Sequence, residues 1–164
     1  MESNALRLEL NMDATVPLVS VTRRFVERAL EKFVSDGDLV SRVAMTAHEL
    51  LENVAKYGAR ANAELSVTMD REEGNDRNLT VRVSNAASPA DIERLNQSFS
   101  ELNACDDPLE LYLDLMRRNA TNAEISGLGL ARILAEGEMT LGLTVNGDAV
   151  TIVAQTGISD GCQP

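Results

Sequence analysis

Glu49-Leu50-Leu51-Glu52-Asn53-Val54-Ala55-Lys56-Tyr57-Gly58 is the stretch that decides the fold of this chain. Its spacing predicts a helix. Residues four apart on a helix share a face, so Glu49 and Asn53 point one way while Leu50, Leu51 and Val54 turn towards a core. A carboxylate beside an amide offers hard oxygen ligands suited to water and Mg²⁺. Far downstream, Ser126-Gly127-Leu128-Gly129-Leu130 reads as a glycine-rich turn that opens another helix, a setting suited to phosphate. Either feature alone says little; the pair points to a nucleotide site.

The surrounding pattern places both features in a single α+β domain. Upstream, Leu6, Leu8 and Leu10 alternate with polar residues, as in a strand with one buried face. From about Val16 to Val34 the period lengthens to that of a helix, with Val19, Thr22, Val26, Ala29, Leu30 and Phe33 as its apolar stripe. Ser35-Asp36-Gly37-Asp38 breaks it, and Asp36 or Asp38 is suited to cap the next helix, Leu39 to Tyr57, which Gly58 would end. Strands follow at Ala63–Asp70 and Asn78–Asn85, joined through Arg71 to Arg77. Ser88-Pro89-Ala90-Asp91 and Asp107-Pro108-Leu109-Glu110 each carry a helix-start signature. The second of these helices shows a stripe of Leu109, Tyr112, Leu113 and Met116. Arg117 to Ile125 reads as a loop, and Gly127 to Glu136 as a short helix. Met139–Val145 and Ala149–Ala154 form a last hairpin about Asn146-Gly147. Hairpins and helices in this order predict a two-layer α/β sandwich over residues 1–156, with a mixed sheet covered by helices on one face and a tail at 157–164.

Composition narrows the partners. Hydrophobic residues make up 44 % of the chain but aromatics only 3 %, so the core must be aliphatic. The formal charge of −11 lacks any basic stripe to offset it, which argues against nucleic acid and anionic membrane. No stretch of roughly 18 apolar residues suggests a membrane span. Met1-Glu2-Ser3-Asn4 does not open a signal peptide. Cys105 and Cys162 are far apart, without metal-type spacing. A cytoplasmic protein with free thiols is the expectation.

With these residues set out, a family resemblance emerges. The Glu49–Gly58 helix resembles the asparagine box of the GHKL (Bergerat-fold) ATPases, and Ser126–Leu130 resembles their second glycine box. The size and layout are similar to the anti-sigma-factor serine kinases of bacterial partner switching, and the region after the third strand looks most like the SiaB-type protein kinases. The resemblance runs from about Arg23 to Gln155. It implies ATP and Mg²⁺ as cofactors, with Asn53 as the metal ligand and Glu49 as the carboxylate that orients or deprotonates the nucleophile. Gly127, Leu128 and Gly129 would line the phosphates. It further implies a serine/threonine protein kinase whose substrate is a small regulatory protein of the anti-sigma-antagonist kind. Related kinases often dimerise, so a homodimer is a further expectation.

The first glycine box, Asp-x-Gly-x-Gly, is absent; the chain reads Ser84-Asn85-Ala86-Ala87-Ser88-Pro89 in its place. Asn85 offers a carbonyl oxygen where the family aspartate accepts a bond from the adenine amino group, but without its charge. SiaB-type proteins similarly lack this box. Thr151 sits where relatives place an adenine-side threonine. Lys56, three residues after Asn53, is within reach of a phosphate, with a solvated lysine as the competing reading. Glu52 lies about 100° from Asn53 and reads as surface. His48 forms no triad and reads as structural or surface. Asn119 and Asn122 are expected on a lid loop. Two rival functions stay open: a non-catalytic binding module of the same fold that sequesters a regulator, and an ATP hydrolase or sensor module.

Overall fold

The computed structural model describes residues 6–71, 77–121 and 127–158. In chain order the elements are β1 (Leu6–Asp13), α1 (Val16–Leu30), α2 (Gly37–Tyr57), β2 (Gly58–Arg71), β3 (Arg77–Ala87), α3 (Pro89–Ala104), α4 (Pro108–Thr121), α5 (Leu128–Ala135), β4 (Thr140–Asn146) and β5 (Ala149–Ile158). The strands form one sheet in the order β1-β2-β3-β5-β4. The expected two-layer sandwich is present, but the sheet is not mixed: all four neighbouring pairs are antiparallel. Strand alternation sends Leu65, Val67, Leu79, Val81, Val83, Ile152 and Ala154 into one buried layer. α2 is the helix packed deepest on that layer, burying Val43, Ala44, Ala47, Leu50, Leu51 and Val54. Asp36 is its cap; one carboxylate oxygen accepts bonds from Asp38 N (3.0 Å) and Leu39 N (3.1 Å).

Several boundaries differ from the sequence expectation, each for a local reason. α1 stops at Leu30, where tighter turns take over: Phe33 N donates to Leu30 O and Lys32 N to Ala29 O. Phe33 is thereby turned out of the stripe and is 38 % exposed. Gly58 does end α2, but in an extended conformation that begins β2 directly (φ −68°, ψ 138°). A side chain there would meet Val54 O at 2.7 Å and Arg60 O at 2.8 Å, so glycine is needed for close approach rather than for a left-handed cap. In the last hairpin Asn146 pairs with Ala149, so the two-residue loop is Gly147-Asp148. Gly147 has φ +64°, the sign that primed hairpin turns require at this place. β5 continues to Ile158, which is buried, so the ordered sheet passes the expected boundary at residue 156. The centre of the connection between β2 and β3, residues 72–76, lies outside the described residues, as does Cys162.

α4 is the largest correction. It extends through Arg117–Thr121, where a loop was expected, and its inward face keeps only Tyr112 of the predicted stripe. Leu115 is buried and Leu111 and Tyr112 pack against the core, whereas Leu109, Leu113 and Met116 are exposed. The helix carries two apolar stripes, and its packing against α5 selects the one that faces inward.

Candidate functional site

α2 carries Glu49, Asn53 and Lys56 at helical spacing, and α5 begins opposite them. Between the two lies a cavity of about 270 Å³. α2 contributes Glu49, Glu52, Asn53, Lys56 and Tyr57; the start of α5 contributes Gly127, Leu128, Gly129 and Arg132; α4 contributes Tyr112 and Asn119. Six of the expected site residues thus share one cleft. Glu52 joins them rather than lying on an uninvolved surface, and Asn119 does so from the last turns of α4, not from a loop. Asn122 and Ser126 are outside the described residues.

The glycines have separate reasons. Gly127 is the residue before α5 and has φ +91°, a backbone state that a side chain would strain. α5 starts without a side-chain cap, which leaves the N–H groups of its first turn for another acceptor. Together with the positive end of the helix dipole, this makes a seat for an anion. Gly129 is bare because a carboxylate occupies the space: a Cβ there would lie 2.7 Å from Glu49 Oε2.

Glu49 is 9 % exposed, and its Oε1 accepts a charge-assisted bond from Arg132 Nη1 at 2.9 Å. The same guanidinium donates from Nε to Glu136 Oε2 at 2.6 Å. The bond to Glu136 is the largest cause holding the Arg132 pKa above its ordinary value, partly opposed by burial and helped by the bond to Glu49. Burial, followed by the charge of Glu136, raises the Tyr112 phenol. Lys56 Nζ pairs with Glu52 Oε2 at 3.0 Å. His48 Nε2 approaches Glu52 Oε1 at 3.8 Å. The cleft therefore contains two cations and two carboxylates already matched with each other.

Asn53 stands apart from these pairs. Its amide nitrogen is buried without a hydrogen-bond partner, and so is Asn119 Oδ1 across the cleft. Buried polar atoms ordinarily find partners, so this amide pair is suited to a polar guest. A divalent metal fits in a specific way. Among the described residues no cluster of three or more His, Cys, Asp or Glu is placed to hold an ion. Mg²⁺, however, is commonly held by few protein oxygens together with the phosphates of a nucleotide. Asn53 could supply one such oxygen through its Oδ1.

Beyond Asn53 and Tyr57 the groove narrows to two small cavities of about 20 Å³ each. One is walled by Leu50, Val54, Val83, Leu95 and Ile152 and reaches Asn85. Asn85 Nδ2 donates to Ala86 O at 2.9 Å, which fixes the amide and leaves Oδ1 as the acceptor. Thr151 is not brought to the cleft. It pairs with Ser84 across β3 and β5, the two hydroxyls 2.8 Å apart, one step out of phase with the buried pair Val83–Ile152. Strand alternation puts Thr151 on the opposite face of the sheet, so the expected adenine-side contact is corrected.

The sequence profile of the histidine kinase-like ATPase domain matches residues 12–135. This chain belongs to that family. The matched stretch contains α2 with Glu49 and Asn53 and the α5 turn with Gly127 and Gly129. Among solved structures, the family fold is matched by the SiaB-SiaC complex from Pseudomonas aeruginosa at a TM-score of 0.61. That match has 18 % identity and covers 95 % of this chain and 92 % of the other, a likeness of fold. No curated protein matches the chain. Among the described residues of this ATPase domain, no helix is long and apolar enough to cross a membrane.

Arg132, Tyr112, Tyr57 and Glu52 are the cleft residues that sequence reading did not assign to the site. Arg132 had a usable signal: it follows Gly129 by three positions on a helix and so shares its face. Tyr112 was legible as part of an apolar stripe, but not as a cleft residue, since that depends on how α4 packs against α5.

Proposed function

We propose that this protein is a cytoplasmic, Mg²⁺- and ATP-dependent serine/threonine protein kinase that phosphorylates a small regulatory partner, of the anti-sigma-antagonist kind, in a bacterial partner-switching pathway. The observation that carries the reading is the shared cleft: Glu49, Asn53 with its unpartnered amide nitrogen, and the uncapped start of α5 line one cavity. Asn53 would supply an oxygen to the metal, whose charge would offset that of the phosphates. Backbone N–H groups after Gly127 hold phosphate oxygens. Glu49 orients the partner's hydroxyl or accepts its proton. Asn85, with Oδ1 left as acceptor, faces the base. Lys56 gives a second cation near the phosphates once released from Glu52. Phosphoryl transfer depends chiefly on position and charge neutralisation, which so small a set of groups can provide. The solved SiaB-SiaC complex is consistent with a protein partner for this fold.

A second reading is favoured by one observation. The groove at the base end is nearly filled, with about 20 Å³ in each of its small cavities. A domain that no longer admits a base would act as a non-catalytic module that sequesters its regulator. Calorimetric titration with Mg-ATP separates the two. The kinase reading expects saturable binding that Asn53→Ala or EDTA weakens at least tenfold, about 1.4 kcal/mol. It also expects Glu49→Ala to bind ATP but transfer no phosphate. No saturable binding at millimolar ATP establishes the module instead.

A further inference from the structure

Glu49 is held from two sides, and both restraints come from one face of α5. Gly129 leaves room for Oε2, and three residues later Arg132 grips Oε1. The grip is itself fixed from outside the cleft, because Arg132 Nε is bound to Glu136 at 2.6 Å. Glu136 does not line the cavity, whereas Arg132 does. The guanidinium uses two different nitrogens in one rigid plane to connect the carboxylate inside the cleft with the one outside it. The Glu49 side chain is only 11 % exposed, so little room remains for it to swing free.

From this geometry we propose that Arg132 is a positioning residue for Glu49, holding the carboxylate at the cleft floor through a two-sided bridge anchored on Glu136. The inference rests on the kinase reading for its purpose and on the bridge for its physics. Two roles compete for an arginine beside a phosphate seat. An arginine that merely supplies positive charge is replaceable by lysine. One that spans two carboxylates with a planar fork is not, because an ammonium is a point charge on a flexible stem. Lysine at 132 retains the charge and loses the bridge.

The test uses the full chain with R132K, R132Q and E136Q, and Mg-ATP as the probe. The first readout is nuclear magnetic resonance of the Arg132 guanidinium and the Glu49 carboxyl carbon at neutral pH. The bridge predicts separately resolved Arg132 N–H signals in the wild type, averaged in E136Q and in E49Q. It predicts that R132K and R132Q displace the Glu49 signal alike. The second readout is steady-state phosphate release from Mg-ATP, in which water replaces the partner's hydroxyl as the nucleophile Glu49 orients and ADP leaves. R132K and R132Q are expected to lose on the order of 10²-fold in kcat, the scale of a misplacement of about 1 Å. KM should stay within about threefold, and E136Q should lose less. Averaged guanidinium signals in the wild type overturn the proposal. So does R132K restoring both the Glu49 signal and turnover. A resolved guanidinium in a wild type that binds Mg-ATP but releases and transfers no phosphate would refute the kinase reading and leave the bridge standing.

Discussion

Replacing Gly129 with alanine tests the packing of Glu49 directly. The new Cβ would stand 2.7 Å from Glu49 Oε2, whereas ordinary carbon–oxygen contacts begin near about 3.3 Å. The carboxylate must therefore retreat by roughly 0.6 Å, and the 2.9 Å bond from Arg132 is strained or lost. A charge-assisted hydrogen bond contributes about 1.5–3 kcal/mol. Arg132 is 38 % exposed, so solvent screening reduces that to about 1 kcal/mol. Alanine in a helix gains about 0.8–1 kcal/mol over glycine. The two effects nearly cancel, and G129A should unfold within about 1 kcal/mol of the wild type in urea. The cancellation can be dissected by a double-mutant cycle. In an E49A background the obstruction is gone, so adding G129A should stabilise by about 0.8–1 kcal/mol, a coupling of about 1 kcal/mol between the sites. If G129A has the same effect in both backgrounds, Glu49 does not pack against Gly129 and the account of this glycine is wrong. A loss above about 3 kcal/mol in both would point to a backbone collision instead.

Two further outcomes follow from the fold and the titration chemistry. Asp36→Ala removes the side-chain cap of α2, the helix that carries Glu49 and Asn53 into the cleft; it should cost about 1 kcal/mol by chemical denaturation without altering the cleft. The Tyr112 phenol is raised in the folded protein. Its proton is thus retained by the native state at a pH where the unfolded chain has released it, and stability from this source is intact below about pH 10 and falls as pH rises beyond. Denaturation of the wild type should therefore become easier above that pH, and Tyr112→Phe should flatten the dependence. Equal slopes for the two proteins would refute the assignment.

The local devices of this chain are legible in its sequence. α2 was legible because the spacing of Val43, Ala47, Leu50, Leu51 and Val54 is a periodic signal within one helix, and the same period puts Glu49 and Asn53 on a common face. The start of α5 was legible because Gly127 marks a backbone bend that few residues tolerate. The position of Thr151 was also readable and was missed: it lies between Val150 and Ile152, which are both buried, so alternation sends it to the other face. Asn85 could be placed at a strand end, but the acceptor role of its oxygen depends on the bond to Ala86, which requires the chain's actual path.

What the linear pattern determined by itself was the identity and order of the elements, because helix period, strand alternation and capping are interactions among near neighbours. It also determined which polar groups α2 and α5 would offer. Only the tertiary structure decided that those groups share a cavity, that α4 turns Tyr112 and Asn119 inward, and that Arg132 links Glu49 to Glu136. These are contacts between residues distant along the chain, selected by how whole helices pack, and no local spacing encodes which of two apolar stripes will find a partner.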